Sequence, residues 1–236
     1  MTIHNPAADD ANNARARLWL ASTSAGKLRE FAGAGRACGV MVERMPGIDG
    51  LEPCVEDGRT FEENARKKAA YYSSRADGRV FADDSGIAVD ALGGAPGIFS
   101  ARFAGPGATD AANNARLIQE LGRALDPETL GTGTAPNPRA AAHYVCVIAL
   151  AERGRVIAVT EGRAHGVIVA PPRGSGGFGY DPYFFFPALG RTFAELGAEQ
   201  KFAVSHRGEA FRKLLDIIRR SSEQIALPAS RTPDQP

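Results

Sequence analysis

The run Gly174-Ser-Gly-Gly-Phe-Gly-Tyr-Asp-Pro182 joins a glycine-rich turn to aromatic rings, a carboxylate and a chain-stiffening proline. Glycines let the backbone approach a ligand closely, and Pro182 biases Asp181 toward an extended conformation. Such a segment suits a planar, hydrogen-bonding ligand, with Tyr180 offering a flat face and Asp181 an acceptor. Two further segments carry polar chemistry, Ala82-Asp83-Asp84-Ser85-Gly86 and Ser205-His206-Arg207-Gly208. Together the three suggest a pocket for a nucleotide and a metal ion.

Ser22-Thr-Ser-Ala-Gly-Lys27 follows an apolar run and opens a helical pattern. Backbone N–H groups and the positive end of a helix dipole favour an anion there, and Lys27 adds a full charge. The segment is not a P-loop. Ala21 stands where that motif needs glycine, and Leu28 where it needs Ser or Thr. A capped helix start with a solvated lysine is the bland alternative. In Asp83-Asp84, neighbouring side chains on a strand face opposite ways, so one carboxylate is expected to face the site. A hard oxygen ligand suits Mg²⁺, commonly held by one or two carboxylates with phosphate oxygens and waters. Glu56, in the loop before the next helix, is a candidate second carboxylate. The same acidic residues equally suit an Asx-type turn. His206-Arg207 lies at a helix start, where cations are disfavoured unless an anion or electron-rich ligand is near. Lys201 can join them, and Ser100-Ala-Arg102 can bring another guanidinium.

These residues need elements to hold them. Arg17 to Ser22 reads as a first strand, Lys27 to Cys38 as a helix and Gly39 to Met45 as a second strand. Thr60-Phe-Glu-Glu63 is a capping box. The helix it opens runs to about Arg75, with Phe61, Ala65, Ala69 and Tyr72 on the core face. Asn64 and Lys68 fall four apart and point the same way. Val80-Phe-Ala82 and Ile87-Ala-Val89 read as short strands around the acidic turn, and Asp110 to Leu125 as a long helix. His143 to Ala151 and Val156 to Glu161 form a hairpin, and Val167 to Ala170 another strand. Ser205 caps a last helix ending near Arg220. This mixture predicts an α/β fold on a mixed sheet. The expected organisation is a tail over 1–16, one domain over 17–221 and a second tail over 222–236.

With 236 residues, 44% hydrophobic and 23% charged, a packed core is expected. The net charge of +1, from 28 basic and 27 acidic residues, gives no support for nucleic-acid or membrane binding. Cys38, Cys54 and Cys146 lack metal-ligand spacing and fit a reducing compartment. No apolar run approaches the ~20 residues that span a bilayer. A soluble, cytoplasmic protein is expected.

Taken in order, these motifs resemble the inosine triphosphate pyrophosphatase family, also called the Ham1-like or non-canonical purine nucleotide pyrophosphatases. The resemblance spans roughly Leu18 to Leu215. It is carried by Ser22 to Lys27, Thr60-Phe-Glu-Glu-Asn-Ala65 with Lys68, Ala82 to Gly86 running on to Gly97, Ser100 to Arg102, Gly177 to Pro182, Ala194 to Leu196 and Ser205 to Gly208. It implies an elongated α/β fold with a central nucleotide cleft, usually a homodimer. It implies Mg²⁺-dependent hydrolysis of ITP, dITP and XTP to monophosphate and pyrophosphate. Ser22, Thr23, Ser24, Ala25, Gly26 and Lys27 then correspond to the phosphate-binding loop. Asp84 corresponds to the catalytic acid and metal ligand, Ser85 to a substrate contact, Glu56 to a metal-site carboxylate and Lys68 to a phosphate-site lysine. Phe178, Gly179, Tyr180, Asp181, Lys201, His206 and Arg207 match the base-binding residues, with Tyr180 expected to stack on the base. The family loop usually carries asparagine where this chain has Ser24. The alternatives are a Maf-like pyrophosphatase for other nucleotides and a nucleotide-binding protein that has lost catalysis.

Overall fold

The computed structural model describes residues 17–125 and 137–226. The expected N-terminal tail, most of the Gly131 to Arg139 loop and the end of the C-terminal tail lie outside the described residues.

Seven strands form one sheet in the order β2-β1-β3-β4-β5-β6-β7. They are β1 (Arg17–Leu20), β2 (Met41–Arg44), β3 (Arg79–Val89), β4 (Ala141–Glu152), β5 (Arg155–Ile168), β6 (Phe184–Phe186) and β7 (Arg191–Thr192). The pairs β1–β2 and β1–β3 are parallel, while each successive pair from β3–β4 to β6–β7 is antiparallel. The helices are α1 (Ala25–Ala37), α2 (Phe61–Ser73), α3 (Asp110–Ala124), α4 (Ala198–Val204) and α5 (His206–Ala226). No described helix is long and apolar enough to cross a membrane.

Strand alternation sorts the core. Leu18, Leu20, Phe81, Cys146 and Ile148 meet Phe31 of α1 and Phe211 and Leu214 of α5 on one face. Val80, Ala82, Val145 and Val147 meet Ala65, Ala69 and Tyr72 of α2 on the other. Beyond the end of β1, the same strands build a second cluster from Ile87, Val89, Tyr144, Phe184 and Phe193 with Leu117 and Leu121 of α3.

The structure differs from the sequence reading at three places. No turn occurs at Asp83 to Gly86, because β3 runs unbroken from Arg79 to Val89 and pairs with β4 throughout. Polar residues in mid-strand imitate a turn when read locally. The expected strands 156–161 and 167–170 merge into one, β5, which ends at Ile168, since His165 and Gly166 continue the ladder opposite His143 and Ala142. The last helix continues to Ala226, past the expected boundary at 221. The short β6, β7 and α4 were not foreseen.

Candidate active site

The cleft opens where β3 outlasts its parallel neighbour. β1 pairs with β3 only as far as Leu20 opposite Phe81, and one further bond runs from the Ala21 N–H to the Phe81 carbonyl. The chain then leaves for α1, and Asp83 and Asp84 follow at once on β3. Open α/β sheets bind ligands at such carboxyl ends. The cleft measures about 540 Å³, within the range of small-molecule sites.

One end is built for anions. Ser24 caps α1, its hydroxyl accepting from the Lys27 N–H at 3.3 Å. The first-turn N–H groups of Ala25 and Gly26 have no carbonyl within the helix to donate to, so the dipole's positive end faces the cleft. Ser22, Thr23, Ser24 and Lys27 line it. Lys27 pairs with Asp83 at 2.9 Å.

Thr60 caps α2 as the sequence indicates, accepting from the Glu63 N–H at 3.1 Å. That helix presents Asn64 and Lys68 on one face, and both reach Asp84. Asn64 donates to Asp84 Oδ2 at 3.0 Å, and Lys68 Nζ lies 3.5 Å from Oδ1. Lys68 also donates to Glu56 at 3.0 Å. The two carboxylates expected at a metal site are therefore tied to the same ammonium.

Asp83 and Asp84 both line the cleft from opposite faces of β3, where one was expected. Their surroundings push them apart. Burial raises the Asp83 carboxyl, but Lys27, Arg207 and Lys68 outweigh it and hold it at about 2. Burial also raises Asp84, and here it prevails over Lys68, Lys27 and Asn64. Asp83 is thus a fixed anion and Asp84 the carboxylate readier to take a proton.

An aromatic ring adjoins the start of α1. Phe178 is half-buried, with Arg207 4.8 Å and Lys201 5.1 Å from its ring centre. Gly26 makes room for it, because a Cβ there would stand 2.6 Å from the ring. Gly26 therefore serves ring packing as well as the anion loop. Tyr180, expected to stack on the base, also lines the cleft but presents little surface to it. Its residue is 5% exposed and its hydroxyl donates to the Ser100 carbonyl at 2.8 Å, so the more open ring is Phe178.

Behind this wall runs a chain of alternating charge. Lys27 meets Asp83; Arg207 Nε lies 3.7 Å from Asp83 and Arg207 donates to Glu30 at 3.0 Å and to Ser85 Oγ at 2.9 Å. Lys201 bridges Glu30 and Asp181, each at 2.5 Å. Asp181 also accepts from the Phe178 N–H at 2.8 Å. Arg207 lines the cleft, whereas Lys201 and His206 stand behind it. His206 is 1% exposed, stacks on Tyr144 at 4.4 Å, and neither ring nitrogen has a partner within the protein. Burial, then Arg207, Lys201 and Lys27, keep it neutral.

Glu30 was missed in the sequence. Its spacing from Lys27 on α1 was the available signal, since residues three apart share a helix face. Asp110 and Asn114, which hold Gly179, were also missed.

A model of the Ham1 family matches residues 18–217. The chain is 42% identical over 204 residues to the dITP/XTP pyrophosphatase of Desulforamulus reducens, covering 86% of this chain and 96% of that one. It is also 42% identical to the dITP/XTP pyrophosphatase of Streptococcus thermophilus, covering 85% of this chain but spanning only 59% of that relative's length. Among solved structures, a HAM1 protein from Coxiella burnetii superposes with a TM-score of 0.73 at 35% identity, over 87% of this chain and 99% of that one.

Proposed function

This chain belongs to the Ham1 family, and from that membership we propose that it hydrolyses non-canonical purine nucleoside triphosphates, dITP, ITP and XTP, to the monophosphate and pyrophosphate. The observation that carries the reading is one cleft lined by the start of α1, Lys27, Lys68, Asp83 and Asp84 and by the Phe178 ring beside Arg207. The role is removal of deaminated purines from the nucleotide pool.

Lys27, Lys68 and the first turn of α1 neutralise the triphosphate and place its α-phosphorus. Asp84 orients the attacking water and takes its proton, a task suited to a carboxyl held above its usual range. Pyrophosphate leaves, and no protein group is covalently changed. Asp84 and Glu56 present hard oxygen donors beside one another, which suits Mg²⁺. Among the described residues no third acidic, His or Cys side chain joins such a group, so substrate oxygens and waters would complete the coordination. Bound there, Mg²⁺ offsets charge on the phosphate oxygens.

Base choice follows from hydrogen-bond polarity. Hypoxanthine and xanthine present an acceptor at O6 beside an N1–H donor, and adenine presents the reverse. A cationic donor at the aromatic end, Arg207, favours the 6-oxo bases and leaves adenine mismatched. A homodimer and a cytoplasmic setting belong to this reading through family membership alone.

The test is pyrophosphate release with Mg²⁺ across ITP, dITP, XTP, GTP, ATP and dTTP. The expected order places ITP, dITP and XTP well ahead of the canonical set. Comparable turnover of dTTP would favour the Maf-like alternative, and binding without turnover a non-catalytic protein.

A further inference from the structure

Asp110 and Asn114 lie one turn apart on α3, and between them they hold both backbone groups of a single residue. Asp110 Oδ2 accepts from the Gly179 N–H at 2.7 Å, and Asn114 Nδ2 donates to the Gly179 carbonyl at 2.9 Å. Gly179 has φ +63°, a conformation that side-chain-bearing residues rarely adopt. The Asp110 contact grips the peptide that joins Phe178 to Gly179. The Phe178 N–H, on the other side of that residue, is taken by Asp181. Phe178 is therefore held at both of its peptides, and its ring rests on Gly26 beneath Arg207 and Lys201.

The same helix turn also holds the facing wall. Asn113 accepts from the Ala104 N–H at 2.8 Å and donates to the Ala101 carbonyl at 3.2 Å. Ala101 lines the cleft. Docking of α3 itself depends on other residues, Leu117 and Leu121, which are fully buried in the second core. Asp110 lies at the exposed start of the helix and adds nothing to that core.

We propose that Asp110 and Asn114 are positioning residues for base recognition, fixing the Gly179 peptide so that the Phe178 ring lies in the plane a purine requires. The proposal rests on the nucleotide-hydrolase reading above, with Phe178 as the base platform. Neither side chain touches a reacting atom. Their loss loosens the Phe178 ring and leaves Lys27 and Lys68 on their partners Asp83, Asp84 and Glu56.

The experiment uses the full chain with Asp110→Ala, Asp110→Asn and Asn114→Ala. Asp110→Ala and Asn114→Ala should each raise the KM for ITP roughly tenfold, the scale of one lost hydrogen bond. They should raise the inhibition constant of IMP in parallel and leave kcat and inhibition by tripolyphosphate unchanged. Asp110→Asn keeps an oxygen acceptor for the Gly179 N–H and should restore most of the KM. A merely structural role would weaken IMP and tripolyphosphate alike, and that result overturns the proposal. A second arm needs no substrate. Trp19 is the chain's single tryptophan, so Phe178→Trp in a Trp19→Phe background reports on the platform alone. Its emission should shift to the red when Asp110→Ala or Asn114→Ala is added. An unmoved emission overturns the clamp even if ITP proves not to be a substrate. A shifted emission in a protein that ignores every triphosphate upholds the clamp and rejects the functional reading.

Discussion

Asp83 and Asp84 are neighbours on β3, yet their carboxyls lie on opposite faces of the sheet and answer to different cations. Asp83 belongs to Lys27 and Arg207 on the α1 and α5 face; Asp84 belongs to Lys68 and Asn64 on the α2 face. Substitution at the second tests catalysis. Asp84→Asn keeps the shape and the strand, but the amide accepts no proton and holds a cation weakly. Turnover should fall by at least about a hundredfold, the usual share of a general base. The thermal midpoint should move by only a few degrees. Pyrophosphate release near the wild-type rate at saturating Mg²⁺ would remove Asp84 from the mechanism.

Gly26→Ala places a methyl 2.6 Å from the Phe178 ring. The helix tolerates alanine, so α1 itself gains stability. The ring has to shift, and with it the contacts of Arg207 and Lys201. KM for ITP should rise about tenfold or more, consistent with a 1–3 kcal/mol stacking contribution. Unchanged kinetics would mean that the ring yields without consequence for substrate.

Ser24→Asn keeps a good helix cap and adds an amide donor beside the phosphate end. The expected outcome is unchanged stability with a lower KM for triphosphate and little change in IMP inhibition. A higher KM would indicate that Ser24 is matched to its present neighbours Ser22 and Lys27.

His206 predicts a pH dependence of stability. In the folded protein its pKa lies well below 6.5, because burial and the cations Arg207, Lys201 and Lys27 oppose protonation. The unfolded chain therefore binds the extra proton first. Stability is highest above about pH 6.5 and falls as the pH drops below it, by up to roughly 1.4 kcal/mol per unit. His206→Phe can keep the stack on Tyr144 and removes the titration. Urea unfolding at pH 7.5 and 5.5 should show the variant losing less stability than the wild type across that interval. Equal losses would place the titration elsewhere.

What could be read in advance was local. The Thr60 box fixed the phase of α2, and that phase put Asn64 and Lys68 on one side, where both meet Asp84. Strand alternation was enough to separate Asp83 from Asp84. It was not carried through Ser85 and Gly86, so a continuous strand was taken for two short ones. The charge chain was beyond local reading. Lys201 finds Glu30 across 171 positions and Asp181 across 20, and no periodicity links such partners. Tyr180 and Phe178 read alike in sequence because both are aromatic and flank the same glycine. Only burial, with the hydroxyl committed to Ser100, separates them.

The antiparallel ladder of β3, β4 and β5 runs through both halves of the core, from Val80 on one side of the cleft to Val89 on the other. The floor of the cleft is therefore a beam and not a joint. To widen it by rotating one half away, three hydrogen-bonded strands would have to bend together. Adjustment to a substrate is cheaper in the roof, where the Ile48 to Glu56 loop is fastened by side chains such as Tyr71 to the Glu52 carbonyl and Lys68 to Glu56. The carboxylates Asp83 and Asp84 sit on that beam, so their separation is set by the sheet while the side chains around them can adjust.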